Sequence, residues 1–373
     1  MNKENSKWLR KQVAPYEKAN TAASVRQLVN TILPFCLIWY LAYESLSVSY
    51  LLTLALATVG AGFMTRIFII FHDCCHYSFF KSRKANKIVG TITGILTFFP
   101  YNQWQHSHSV HHATSGNLDK RGTGDIWVMT VNEYREASFW QRLSYRLYRN
   151  PFVMFILGPI YVFLIGNRFN RKEARWNERF NTYFTNAAIA AVVSLLIWAV
   201  GWEAFLLVEG PIFLIAGSAG VWLFYVQHTF EDSYFKEDEH WNYVKAAVEG
   251  SSFYKLPKPL QWLTGNIGFH HVHHLSPRVP NYQLEAAHNQ TLPLQNVPTI
   301  TLRTSLSSLR FRLWDEESEK FITFRAAREP RARKRKESPT TVNKVKQIKP
   351  CFHPSSDKLD RAKTWFFNRR TIH

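Results

Sequence analysis

The run SLSVSYLLTLALATVGAGFMTRIFIIFHDCCH, from Ser45 to His76, carries two signals in one piece of chain. Its first 21 residues, Ser45 to Thr65, hold no charge, and after the single Arg66 the apolar series resumes through Ile67, Phe68, Ile69, Ile70 and Phe71. A bilayer core takes about 20 apolar residues in helical form, so a membrane span is expected over about 46–71. The run then ends in two histidines four apart, His72 and His76. A helix places positions i and i+4 on one face, so both imidazoles can reach one ion. Asp73 beside them is a candidate to accept the second ring N–H of a ligating histidine.

Reading outward, 17 uncharged residues lie between Arg26 and Glu44, Phe180 to Trp202 supplies 23 more, and Gly210 to Gln227 supplies 18. These predict further spans at about 27–43, 180–202 and 206–227. Two other stretches, about 88–103 and 151–167, are short and broken by Gly or Pro, which suits interfacial or re-entrant placement. The second is flanked by Arg146 and Arg149 on one side and Arg168, Arg171 and Lys172 on the other. Positive charge at both ends argues that both ends face the cytoplasm. The expected fold class is all-α integral membrane, with four transmembrane helices in two hairpins and a cytoplasmic helical cap that carries the histidine clusters described below. The division that follows is a basic cytoplasmic head at 1–26, a membrane domain at 27–324, and a basic tail at 325–373 that is expected to be disordered.

Composition agrees with a bilayer setting: 46% of residues are hydrophobic and 15% aromatic. The net charge of +19 raises a nucleic-acid reading, but +11 of it sits in the tail from Arg325 to His373. Basic clusters beside spans sit against anionic headgroups at roughly 1 kcal/mol per charge, so membrane surface or solvated tail is the better reading and no nucleic acid is expected. The four cysteines, Cys36, Cys74, Cys75 and Cys351, imply no disulfide framework. The first 26 residues lack the short apolar core of a cleaved secretory signal.

Fifteen histidines occur, and eleven fall in four short segments at the expected cytoplasmic ends of spans. WQHSHSVHH puts His108, His111 and His112 at i, i+3 and i+4, and NIGFHHVHH repeats that spacing with His270, His273 and His274. His228 ends the last span. With His72 and His76 they make nine candidate ligands: His72, His76, His108, His111, His112, His228, His270, His273 and His274. His106 and His271 fall off these faces and read as non-ligands, while His240, His288, His353 and His373 read as solvated. Catalytic zinc takes three protein ligands and structural zinc four, so nine imidazoles imply two metals. Imidazole suits Fe, Zn, Cu and Ni alike, and spacing alone does not choose among them. Asp73, Asp119 and Asn266 are the candidates for groups that orient these rings. A non-enzymatic metal transporter or receptor would carry carboxylates or histidines at mid-span, and the spans read as carrying none.

HDCCH, HSVHH and HHVHH resemble the three histidine boxes of membrane fatty acid desaturases, HxxxH, HxxHH and HxxHH. The stretches HHATSGNLDKRGTGDIWVMTVNEY, His111 to Tyr134, and HHVHHLSPRVPNY, His270 to Tyr282, resemble the bacterial acyl-lipid branch that is delta-12-like. The likeness runs from about Leu28 to Phe324. It departs at Cys75, where Gly or Thr is common, and at Phe224, where related proteins place an asparagine that binds metal through water. The resemblance implies an O2-dependent di-iron oxidoreductase with two iron ions. Such an enzyme dehydrogenates an unactivated methylene pair of a lipid acyl chain to a cis double bond and releases water. It implies a phospholipid or acyl-thioester substrate in a kinked apolar tunnel. It also implies a separate electron donor, a ferredoxin, flavodoxin or cytochrome b5, since no flavin, nicotinamide, iron–sulfur or haem motif is found. The expected setting is a multi-pass protein of a bacterial cytoplasmic membrane with both termini cytoplasmic. The nearest alternative is a related histidine-box lipid hydroxylase or carotenoid oxygenase.

Overall fold

A computed structural model describes residues 3–328, so the tail from 329 onward, with Cys351, His353 and His373, lies outside the described residues. The chain is mostly helical. A short helix α1 (Lys3–Val13) precedes two long ones, α2 (Thr21–Glu44) and α3 (Tyr50–Cys75). Then come α4 (Arg83–Leu96), α5 (Tyr101–Thr114), α6 (Val131–Glu136), α7 (Phe139–Tyr148) and α8 (Gly158–Leu164). A second long pair follows, α9 (Trp176–Val200) and α10 (Trp202–His228), and then the short helices α11 (Tyr243–Glu249), α12 (Lys258–Leu263), α13 (His270–Leu275) and α14 (Asn281–Gln290). Among the described residues four helical stretches are long and apolar enough to cross a membrane: Thr21–Ser47, Tyr50–Cys75, Trp176–Val200 and Trp202–His228.

Local chemistry sets the ends of these helices. Asn20 caps α2 by accepting the Ala23 N–H at 3.1 Å, which satisfies one of the donors a helix start leaves unpaired. At the junction of α9 and α10 the turn residue is Gly201 at φ +85°, a conformation that costs a side-chain-bearing residue dearly. α3 is the centre of the bundle and packs against α2, α4 and α10. Small residues make that possible, as membrane helices associate through close backbone approach. A Cβ at Gly60 would stand 3.3 Å from Ile212 Cδ1 of α10 and 3.5 Å from Ile38 Cγ2 of α2.

Two buried charged residues inside the long helices, Arg66 and Glu209, each have a partner. Arg66 is buried, donates to Thr31 Oγ1 at 3.1 Å and to the Trp262 carbonyl, and lies 3.9 Å from the Trp262 ring centroid. Glu209 corrects the expectation of spans without carboxylates: it sits inside α10, buried, and accepts the Trp39 indole N–H from α2 at 2.6 Å.

Neither ambiguous stretch forms one long straight helix. α4 has 14 residues, about 21 Å at 1.5 Å per residue, against a hydrocarbon core of about 30 Å. The other stretch starts as a π-helical turn at Val153–Leu157 and continues as α8. α7 with Val153–Arg168 is bent by 67° at the break between them.

The remaining segments fold against one end of the bundle. Strand β1 (Met129–Thr130) pairs in parallel with β4 (Leu313–Asp315), which pairs antiparallel with β5 (Lys320–Ile322), while β2 (Phe253–Lys255) pairs in parallel with β3 (Thr299–Thr301). Arg149, fully buried, donates to the carbonyls of Trp127 (3.3 Å) and Phe311 (2.7 Å) and to the Tyr225 hydroxyl (3.2 Å). One guanidinium thus ties the last described segment to α10.

Candidate metal centre

Four elements end at one place. α3 delivers His72 in its last turn and His76 as its cap, α5 delivers His108, His111 and His112, α10 ends on His228, and α13 delivers His270, His273 and His274. All nine rings converge, and they do so as two groups. The ligand atoms of His72, His76, His108, His112 and His273 lie within 4.8 Å of one another, as do those of His111, His228 and His274. His270 joins the second group, its Nε2 being 2.9 Å from His228 Nε2 and 3.1 Å from His274 Nε2. The groups meet where the rings of His112 and His274 stack at 4.2 Å.

The ring orientations are fixed from outside the cluster. His72 Nδ1 lies 3.0 Å from Asp73 Oδ1, and the other oxygen of Asp73 accepts the Asn281 backbone N–H at 2.6 Å and its side-chain amide at 2.9 Å. His111 Nδ1 lies 2.5 Å from Asp125 Oδ1, and His228 Nδ1 lies 3.2 Å from the Gly250 carbonyl. A carboxylate or carbonyl only accepts, so each Nδ1 carries the proton and each Nε2 lone pair points inward.

The donor set fits metal ions. Nε2 of His76, His111 and His273 is buried with no hydrogen-bond partner, which would cost about 1–3 kcal/mol per group if nothing met it. Two nitrogens about 2.1 Å from one ion and at right angles lie about 3.0 Å apart. The facing nitrogens here, at 2.9 and 3.1 Å, match that spacing. Burial, and then the neighbouring rings, hold His76, His108, His112, His270, His273 and His274 well below the ordinary imidazole range. Neutral rings are what metal ligation requires.

Asp119 accepts the Asp238 backbone N–H at 2.9 Å, and from the same loop Asp125 meets a cluster ring. Asn266 donates to the Asn281 carbonyl at 3.1 Å and accepts from Gln261, so Asn281 is the amide that holds Asp73. His288 is buried, not solvated, with Nδ1 2.9 Å from Nε2 of His271. His271 turns away from the cluster to that ring, and burial first, then His288, push its pKa down to about 3. His106 also turns outward, to Arg171.

A signal for Asp125 does exist in the loop sequence RGTGD, 121–125. Gly124 has φ +76°, and a Cβ there would stand 2.7 Å from the Ser107 carbonyl and 3.1 Å from His111 Cβ. Only glycine lets the loop press against α5 and bring the next residue over His111.

Beside the five-ring group a file of half-buried rings leads into the bundle. Trp104 stacks on His108 at 4.2 Å; Trp104 to Phe68 is 5.6 Å, Phe68 to Phe99 5.0 Å and Phe99 to Phe163 5.3 Å. Phe163 to Phe213 is 5.5 Å, and Phe98 lies 4.4 Å beyond. Phe224 lies against the other group, 4.9 Å from His111 and 5.2 Å from His228.

Comparison with known proteins gives the same direction. Residues 46–303 match the sequence profile of the family described as fatty acid desaturase. A fatty acid desaturase of Bacillus subtilis (strain 168) is 70% identical over 320 residues, 86% of this chain and 91% of that protein. A chloroplastic omega-6 fatty acid desaturase of Spinacia oleracea is 30% identical over 257 residues, 65% of this chain and 54% of that protein. An sn-1 acyl-lipid omega-3 desaturase (ferredoxin) of Synechocystis is 26% identical over 249 residues, 61% and 64% of the two chains. With nine imidazoles drawn from four helices to one end of a bundle built on membrane-length helices, and with that match over most of its length, the chain belongs to the fatty acid desaturase family of oxidoreductases.

Proposed function

We propose that the five-ring group holds one iron and the four-ring group a second, and that the enzyme desaturates an acyl chain of a membrane lipid. The observation that carries this reading is the pair of adjacent imidazole groups at the mouth of an aromatic file. Two irons bound there supply the chemistry that, with O2 and two reducing equivalents, takes two hydrogens from neighbouring methylenes and releases water. The chain's own residues hold and shield. Asp73, Asp125 and the Gly250 carbonyl fix the rings so that little reorganisation is needed. The file from Trp104 to Phe98 offers the acyl chain an apolar bed, and substrate hydrocarbon filling it keeps water from the reacting carbons.

The four long helices then form two hairpins, with the histidines and both termini on the cytoplasmic face of a bacterial cytoplasmic membrane. Basic flanks at Arg146, Arg149, Arg168, Arg171 and Lys172 support that orientation. The substrate is a phospholipid or an acyl thioester, and the electrons come from a separate donor such as a ferredoxin, flavodoxin or cytochrome b5. Expression in a host whose lipids lack the double bond, with gas chromatography of its lipids and metal analysis of the purified protein, tests the whole reading. The expected result is a new alkene, about two irons per chain, and loss of product without loss of membrane insertion in His111→Ala and His273→Ala. Activity retained in either variant, or an alcohol in place of the alkene, refutes it.

A further inference from the structure

Trp241 and Tyr243 form a half-buried aromatic pair on the flank of the histidine end, their ring centroids 6.3 Å apart. Each connects to the backbone of a different ring of the four-histidine group. The Tyr243 hydroxyl donates to the His274 carbonyl at 2.7 Å. Trp241 Nε1 donates to the Ser115 carbonyl at 2.9 Å, and the Ser115 N–H donates to the His111 carbonyl at 2.8 Å. The pair therefore bridges the protein exterior and two of the four rings through hydrogen-bonded paths.

Helix α1 packs against the Tyr243 side of this pair. Its Leu9 and Val13 are buried against Val244, Val272 and Leu275, and the Arg10 guanidinium stands 5.7 Å from the Tyr243 ring centroid. Lys7 and Lys11 are exposed on the opposite side, with Glu4 a turn before Lys7 on that same side and Trp8 51% exposed next to Lys11. The apolar stripe of α1 is spent on the protein, which leaves a cationic face with an indole rather than an apolar face for lipid. Tryptophan and a rim of net positive charge suit transient recognition of a partner of opposite sign.

We propose that the exposed face of α1, with Tyr243 beneath it and Trp241 beside Tyr243, is the docking and electron-entry surface for a small acidic redox protein of ferredoxin type. The inference rests on the desaturase reading above. Each docking passes one electron from the reduced donor, which leaves oxidised. Two such electrons, two more from the substrate's C–H bonds, the two substrate protons and two from solvent together reduce one O2 to two waters. The long-range attraction brings the acidic donor in quickly and weakens with salt.

The test uses the full chain in nanodiscs and a reduced [2Fe–2S] ferredoxin as probe, with binding affinity and the stopped-flow rate of ferredoxin reoxidation as separate readouts. Lys7→Glu with Lys11→Glu is expected to weaken ferredoxin binding at low salt by about tenfold or more and to flatten its salt dependence. Tyr243→Leu is expected to slow reoxidation at saturating ferredoxin with binding unchanged, and Tyr243→Phe to recover part of that rate. Unchanged affinity in the charge-reversed protein overturns the proposal. So does equal weakening by Lys81→Glu, Lys84→Glu and Lys87→Glu at the start of α4, or quenching of Trp8 fluorescence by brominated lipid, which would give α1 to the membrane surface. Gas chromatography of the same preparations separates the two failures. No alkene from the wild type refutes the desaturase reading, whereas alkene with charge-independent ferredoxin binding refutes only the docking surface.

Discussion

Asp125→Ala removes the one carboxylate that, among the described residues, meets a ring of the four-histidine group. Asp125 is 14% exposed at its side chain and lies 2.5 Å from His111 Nδ1, so the pair is a charge-assisted hydrogen bond in a site where water competes poorly. Losing such a partner behind a ligating imidazole typically costs about 10–100-fold in metal affinity, which converts to about 1.4–2.7 kcal/mol. Burial places this case toward the upper end of that range. Asp125→Asn keeps an oxygen that can accept from Nδ1 but not the charge, so about half the free-energy loss is expected. The assay is metal content during a timed chelator challenge of the purified protein. The alanine variant should fall from about two irons per chain towards one well before the wild type does, because the five-ring group keeps its own Asp73. If Asp125→Ala holds two irons as long as the wild type, the ring orientation does not depend on this carboxylate and the argument fails.

Three further outcomes follow from the packing. Phe163→Ala opens the middle of the aromatic file, and product analysis by mass spectrometry should find a broadened range of chain lengths or double-bond positions; an unchanged product spectrum removes the file from the substrate path. Trp39→Phe leaves the buried Glu209 carboxylate without its indole donor and should cost about 1–3 kcal/mol, read as a drop of several degrees in the thermal midpoint of the solubilised protein. His271 is held down to about 3 in the folded state against about 6.5 unfolded, so the unfolded chain binds the extra proton. Its contribution is whole above about pH 6.5 and is lost at about 1.4 kcal/mol per pH unit as pH falls towards 3. Unfolding midpoints at descending pH should fall less steeply in His271→Asn than in the wild type.

The long helices and the nine candidate ligands are legible in the sequence because both are periodic, local facts. Phe180 to Trp202 is uncharged throughout, and His108, His111 and His112 share a helix face at whatever angle the helix is placed. Which ring belongs with which is not local. His112 leaves its immediate neighbour His111 to join His72, His76, His108 and His273, while His270 pairs with His228 from 42 positions away; the crossing of α3, α5, α10 and α13 decides this. The same holds for the groups that orient the rings. Asp73 is adjacent to His72 and can be read from the sequence, but Asp125 and Asn281 reach the cluster through a glycine-shaped loop and a separate helix. Sequence alone determined the kind of helix and the kind of ligand, since hydrophobic length and i, i+4 spacing are each set within one continuous helix. Only the tertiary structure decided the grouping into five and four, the buried partners of Arg66, Glu209 and His288, and the course of the aromatic file, because each depends on residues that meet only when the helices pack.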